Sequence, residues 1–146
     1  MPAQKFRNPI KAAAGLTVDE VFKANGDLST CQYRFVALGT VEGEVVGATG
    51  ASNPAPLGVL QNAPTASQNA IVRMFGRSQV TVPATACTLT RGYFLSSTGC
   101  GGGIYAGASA VFFGRVISGS VASGAAGSLI AMLNTITPSA SLQSGS

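Results

Sequence analysis

The sequence predicts an all-β fold: a small antiparallel β-barrel or sandwich with one short N-terminal helix and extended N- and C-terminal arms. Three observations predict it. Short runs of alternating or β-branched residues recur along the chain, each bounded by Gly, Pro, Asn or Ser. Only one stretch carries the chemistry of a helix start and stop. Gly, Ala, Ser and Thr supply nearly half of the 146 residues, while charged residues supply 10%, against about 25% in an ordinary soluble domain. The length suits one domain. A chain of this size buries about two-thirds of its unfolded surface, enough for a core without disulfide staples.

Residues 1–14 carry Lys5, Arg7 and Lys11 around Pro2 and Pro9 without periodicity and read as a basic arm. The domain, residues 15–134, opens on the helix signal. Thr17 is placed as N-cap, Glu20 as its capping-box partner and Leu16 to staple onto Val21, with Asn25-Gly26 as the stop. A helix of about seven residues cannot stand alone in water, so it should lie against something larger. Alternation then takes over, with Cys31, Tyr33 and Phe35 on one face and Gln32 and Arg34 on the other. Further strands are expected at residues 40–46, 57–61, 70–75, 79–82, 93–95, 111–117 and 129–133. Pro64 and Pro83 fall outside these runs, as a residue without an N–H must. Phe112 and Phe113 put aromatic bulk on successive positions, so both faces of that strand are expected to be covered, by core or by a neighbouring subunit. Residues 135–146 lose both charge and hydrophobic period and read as a tail.

Histidine is absent and only five carboxylates exist, which removes Ser-His-Asp and Cys-His nucleophiles and HExxH zinc sites; the chain is not expected to be an enzyme. Gly101-Gly102-Gly103-Ile104-Tyr105-Ala106 satisfies G-x-G-x-x-A. No helical pattern follows it and no acid lies downstream, so it reads as a hairpin tip rather than a pyrophosphate cradle. Glu42 and Glu44, two apart on a predicted strand, share a face, but a hard cation needs more oxygens than this pair supplies; they read as charge on an edge strand. Asp19 and Glu20 suit a helix N-terminus. Cys31, Cys87 and Cys100, at spacings of 56 and 13, match no metal pattern and read as small buried hydrophobes. No metal and no cofactor is expected. The N-terminus makes a poor secretory signal, which fits a reducing cytosol. Residues 116–136 are uncharged but broken by Ser118, Gly119, Ser120, Ser123, Gly124, Gly127 and Ser128, so a soluble, turn-rich segment is expected and no membrane partner.

All five acids lie before residue 45, where five basic residues balance them. The remainder carries Arg73, Arg77, Arg91 and Arg115 with no acid, and therefore the whole net charge of +4. That asymmetry favours an acidic partner. Four arginines 4 to 24 residues apart, without a Lys/Arg cluster, are a thin footprint for phosphates, so an acidic protein surface is expected rather than nucleic acid. Ile71, Arg73, Phe75 and Arg77 share one strand parity, and Ala70, Val72 and Met74 share the other, giving an Arg/aromatic face of interface-like composition.

The block Ala55-Pro56-Leu57-Gly58-Val59-Leu60-Gln61-Asn62-Ala63-Pro64, followed by Ala70-Ile71-Val72-Arg73-Met74-Phe75-Gly76-Arg77-Ser78, resembles the centre of tailed-phage capsid cement (head decoration) proteins. Their block has the form GVLQN-P, a short turn, then A-VR--G-S. The resemblance continues through Gly92-Tyr93-Phe94-Leu95, a Gly-rich turn, Phe113-Gly114-Arg115-Val116, Ala125-Ala126-Gly127 and a final strand at Ile130-Ala131-Met132-Leu133, covering about residues 30 to 134. Family members often carry an acid after the glycines that here precede Tyr93 and Ser128, so this chain is less acidic than the usual pattern.

The resemblance implies a non-enzymatic, β-barrel-like virion protein, made in the host cytoplasm and residing on the outer capsid surface. As a homotrimer at threefold or quasi-threefold sites it would stabilise the shell by bridging subunits of the major capsid protein. The expected capsid- or subunit-contacting residues are Lys5, Arg7, Lys11, Arg73, Phe75, Arg77, Arg91, Phe112 and Arg115. Sparse charge suits a surface largely covered by contacts. A trimeric tail or fibre component binding a host receptor or glycan fits the same Gly/Ser/Thr-rich β composition, although a chain without Trp lacks the usual sugar platform.

Overall fold

A computed structural model describes residues 16–49, 55–84, 87–98, 101–105 and 112–135. The protein is all-β. Nine strands follow in order: β1 (Val18–Ala24), β2 (Phe35–Leu38), β3 (Glu44–Gly47), β4 (Pro56–Leu60), β5 (Asn69–Val82), β6 (Phe94–Ser97), β7 (Gly103–Tyr105), β8 (Gly114–Ser118) and β9 (Gly127–Asn134). Strands β1-β3-β2-β4-β5 form a ring that the β1–β5 pairing closes into a five-stranded barrel. From β5 the hydrogen bonding continues through β9, β8, β6 and β7 as a second sheet.

One strand builds both halves. The fourteen residues of β5 pair with β1 and β4 over their first half and with β9 over their second. Val18 stands opposite Phe75 but Asp19 stands opposite Arg73, so Met74 is an extra residue in the ladder. Such a bulge turns the following side chains to the other face. Before it, Ala70 and Val72 point into the barrel core; after it, Val80 and Val82 point into a second core outside the barrel. Gly76 follows at φ +103°, where an added Cβ would lie 2.5 Å from the Leu16 carbonyl oxygen. Only glycine lets the chain entering β1 pass at that point.

The second core lies between the outer faces of β2 and β4 and the inner face of the second sheet. Phe35, Ala37 and Val59 belong to it, while their neighbours Val36 and Leu60 fill the barrel. Both strands are therefore buried on both faces, which is why Phe35–Leu38 and Val59-Leu60 read as continuous apolar runs rather than alternations. Phe35 and Phe113, ring centroids 5.9 Å apart, join the two layers.

The residues of the GVLQN block specify this junction. At Gly58 a Cβ would collide with the Arg73 backbone. The Gln61 side-chain amide donates to the Val59 carbonyl and, at 2.9 Å, to the Ser78 hydroxyl in the second half of β5. Asn62 closes the turn into β5, donating to the Asn69 carbonyl and accepting from the Ile71 N–H. Thr135, the first residue beyond β9, donates its N–H to Met74 and its hydroxyl to Leu57, holding β9 where β4 leaves off.

Several expectations are corrected. The stretch read as a helix is β1: Thr17 caps nothing, and Leu16 and Val21 are both largely exposed rather than stapled. Six paired positions along β5 outweigh a local capping signal that a helix of about seven residues could not exploit alone. Residues 31–34 form a turn, with Tyr33 at φ +63°, so Cys31, Tyr33 and Phe35 do not share a strand face. Residues 40–43 are likewise turn, which puts Glu42 at a hairpin tip and Glu44 alone on β3. The runs 70–75 and 79–82 are one strand. Gly103–Tyr105, read as part of a tip, pairs with β6. Cys31 packs partly against the barrel core, but Cys87 is exposed. Cys100, residues 1–15, Val111 and residues 136–146 lie outside the described residues.

Candidate interaction face

The outer face of the second sheet follows from strand alternation. Inward go Ser78, Val80 and Val82 of β5, Leu129, Ala131 and Leu133 of β9, Val116 of β8 and Leu95 of β6. Outward go the residues between them. Register places four of these in one row: Arg77 faces Met132, Met132 faces Arg115, and Arg115 faces Phe94. At about 4.8 Å between strands, the row crosses four strands.

Its aromatic end is ordered by its own contacts. Phe112 stacks on Phe94 with centroids 4.6 Å apart and planes 31° apart. The Arg115 guanidinium carbon sits 4.8 Å from the Phe94 centroid, a cation–π arrangement worth about 0.5–1 kcal/mol at an exposed site. Phe94, Met132 and Phe112 keep 36–37% of their surface in water. No acidic residue follows Glu44 in the chain, and among the described residues neither Arg77 nor Arg115 is paired with a carboxylate.

The expected interface residues are dispersed by the fold. Arg77, Arg115 and Phe112 come together here. Arg73 does not: its Nε and Nη2 donate to the two Asp19 carboxylate oxygens at 2.8 and 3.0 Å, and Nη1 donates to the Arg77 carbonyl at 2.8 Å. The Asp19 hydrogen bonds raise the Arg73 pKa, with desolvation opposing, so the guanidinium is a permanent cation tying β1 to β5. Phe75, next to the bulge, is half-buried. Arg91 is exposed in the turn before β6, and Lys5, Arg7 and Lys11 lie outside the described residues. Sequence reasoning missed Phe94 and Met132. Their outward orientation was legible, Met132's from the alternation Leu129, Ala131, Leu133 and Phe94's from the apolar Leu95 after it, but their place in one cross-strand row was not.

Among the described residues no group of three His, Cys, Asp or Glu could hold a metal, and no helix is long and apolar enough to cross a membrane. Asp27 accepts the Ser29 N–H at 2.9 Å, and bonding to Ser29 holds its carboxyl below the usual range; this is turn chemistry, far in sequence from the row.

Fold and face together define a β-barrel extended by a second sheet that presents cations, aromatics and no acid to its surroundings. Among solved structures, the chain is similar to the head fiber gp8.5 N base of bacteriophage phi29. The similarity has a TM-score of 0.58 at 16% identity and covers 82% of this chain and 96% of that one. No protein-family model matches the chain, and no curated protein matches it. At this identity the likeness is one of fold.

Proposed function

We propose that the chain is a structural protein of a phage virion that attaches to the outside of the head. The observation that carries this reading is the fold likeness to a phage head fiber base, which takes in nearly the whole of that base. The resemblance of residues 30 to 134 to capsid cement proteins, carried by sequence motifs rather than by the fold, supports the same location. On this reading the chain acts as a cement: a homotrimer at threefold or quasi-threefold sites that bridges subunits of the major capsid protein. A small bridging protein needs no reactive group. Each specific contact buries about 1,600 Å² in total, and simultaneous engagement of several subunits converts modest contacts into durable attachment.

A second reading is favoured by the neighbour being the base of a fiber: the chain anchors a fibre on the head without bridging shell subunits. Heat challenge separates the two. Undecorated heads from the phage that encodes the chain, incubated with purified protein, should co-sediment with it. Decorated heads should then retain DNA at temperatures where undecorated heads release it. Co-sedimentation without heat protection would favour the fibre anchor, and absence of co-sedimentation would contradict both. Light scattering should give three chain masses for the free protein; a stable monomer at micromolar concentration would remove the preassembled trimer.

A further inference from the structure

A strand face turned to water ordinarily carries Lys, Glu and Thr; the row on the second sheet carries two arginines, a methionine and a phenylalanine, with Phe112 stacked on its aromatic end. Arg, Met and aromatics are the types enriched in protein interfaces, and Lys is depleted there. Lysine is in fact absent from the whole chain after Lys23. The two guanidinium groups face outward from strands on either side of β9, both opposite Met132. That separates their backbones by two interstrand spacings, about 10 Å. Carboxylates two to four residues apart in an extended segment lie about 7 to 13 Å from one another, a range that brackets the separation. Arginine's planar fork binds a carboxylate through two parallel hydrogen bonds. The stack of Phe112 on Phe94 under Arg115 fixes one end of the surface in advance, so little side-chain freedom is lost on binding there.

We propose that this face docks an extended acidic polypeptide segment, its carboxylates held by Arg77 and Arg115 and an apolar residue between them seated on Met132. That the segment belongs to the shell protein rests on the head-attachment reading; the chemistry of the face does not. A nucleic-acid strand suits the face less well. Two guanidinium groups neutralise few phosphates, and one side of the Phe94 ring is already occupied by Arg115.

The test uses the full chain, Arg77→Glu with Arg115→Glu as a double variant, and Glu42→Gln at the distant hairpin tip as control. Three probes are used: undecorated heads, a fluorescent synthetic peptide alternating Glu with Phe and Ser, and a single-stranded oligonucleotide of equal charge. The double variant should melt within a few degrees of the parent, because both side chains are exposed. It should bind heads and peptide at least about thirtyfold more weakly, while Glu42→Gln binds as the parent does. Met132→Ala should weaken the peptide without altering its salt dependence. Parent-like binding of heads by the double variant would overturn the proposal and leave head attachment standing. Arginine-dependent peptide binding with no binding to heads would do the reverse. Oligonucleotide binding tighter than peptide binding would overturn the proposal in favour of nucleic acid.

Discussion

Gly76 and Gly26 both have positive φ, +103° and +91°, yet their surroundings differ. An added methyl at Gly76 meets the Leu16 backbone, whereas nothing lies within 4 Å of one at Gly26. Gly76→Ala should therefore cost about 2–4 kcal/mol, backbone strain plus displacement of the strand entering the barrel, and Gly26→Ala only the strain, about 1 kcal/mol. Urea unfolding of the two variants measures the difference. The Asp19–Arg73 pair is bidentate and partly shielded, with side chains 32% and 24% exposed. Asp19→Asn should cost about 0.5–1 kcal/mol, less in molar salt, and leave binding by the sheet face unchanged. An equal loss of binding and stability would place Arg73 in the interface after all. The sequence made Arg73, Phe75 and Arg77 look equivalent because all three have one parity. A single inserted residue, Met74, separates them, and nothing local in Val72-Arg73-Met74-Phe75 announces it.

At the level of strands, what was legible followed from whether local and tertiary preferences agreed. Pro56–Leu60 and Gly127–Asn134 were readable because turn residues bound them and their burial follows from their own pattern. β1 was not, because Thr17, Glu20 and Asn25-Gly26 mimic helix ends while the deciding partners, residues 69–75, lie some fifty positions away. β7 was hidden in glycines: Gly103 is small because a side chain there would press on Val80 of the second core. Likewise Phe94 was placed in a predicted strand, but its neighbours in the row come from β8 and β9, and no local spacing reports a cross-strand register. The two-faced burial of β2, β4 and β5 has an energetic consequence. Phe35, fully buried against Phe113, should lose about 3–5 kcal/mol on truncation to Ala. Because β2 and β4 serve both cores, barrel and second sheet should unfold together. Coincident denaturation curves followed by far-UV dichroism and by a probe on β9 are expected, and two resolved transitions would show that the halves are independent.

Over the whole molecule, charge is partitioned between the two halves of the fold. The five acids all stand within residues 19–44, on β1, β3 and their adjoining turns, while the second sheet and its connections carry only arginine. Such a molecule has a direction: among the described residues one side carries all the acids, mixed with Lys23, Arg34 and Arg73, and the other is cationic and aromatic. That polarity is the feature that a protein seated on a larger assembly requires, since it orients the encounter and distinguishes the attached side from the free one. The most direct measurement is an image reconstruction of the virion containing this protein, at a resolution that traces strands. The barrel should lie outside the shell, with the row from Arg77 to Phe94 turned toward an acidic segment of the shell protein. A reconstruction in which the chain is missing from the head exterior, or in which that row faces solvent while another surface makes the attachment, would contradict it.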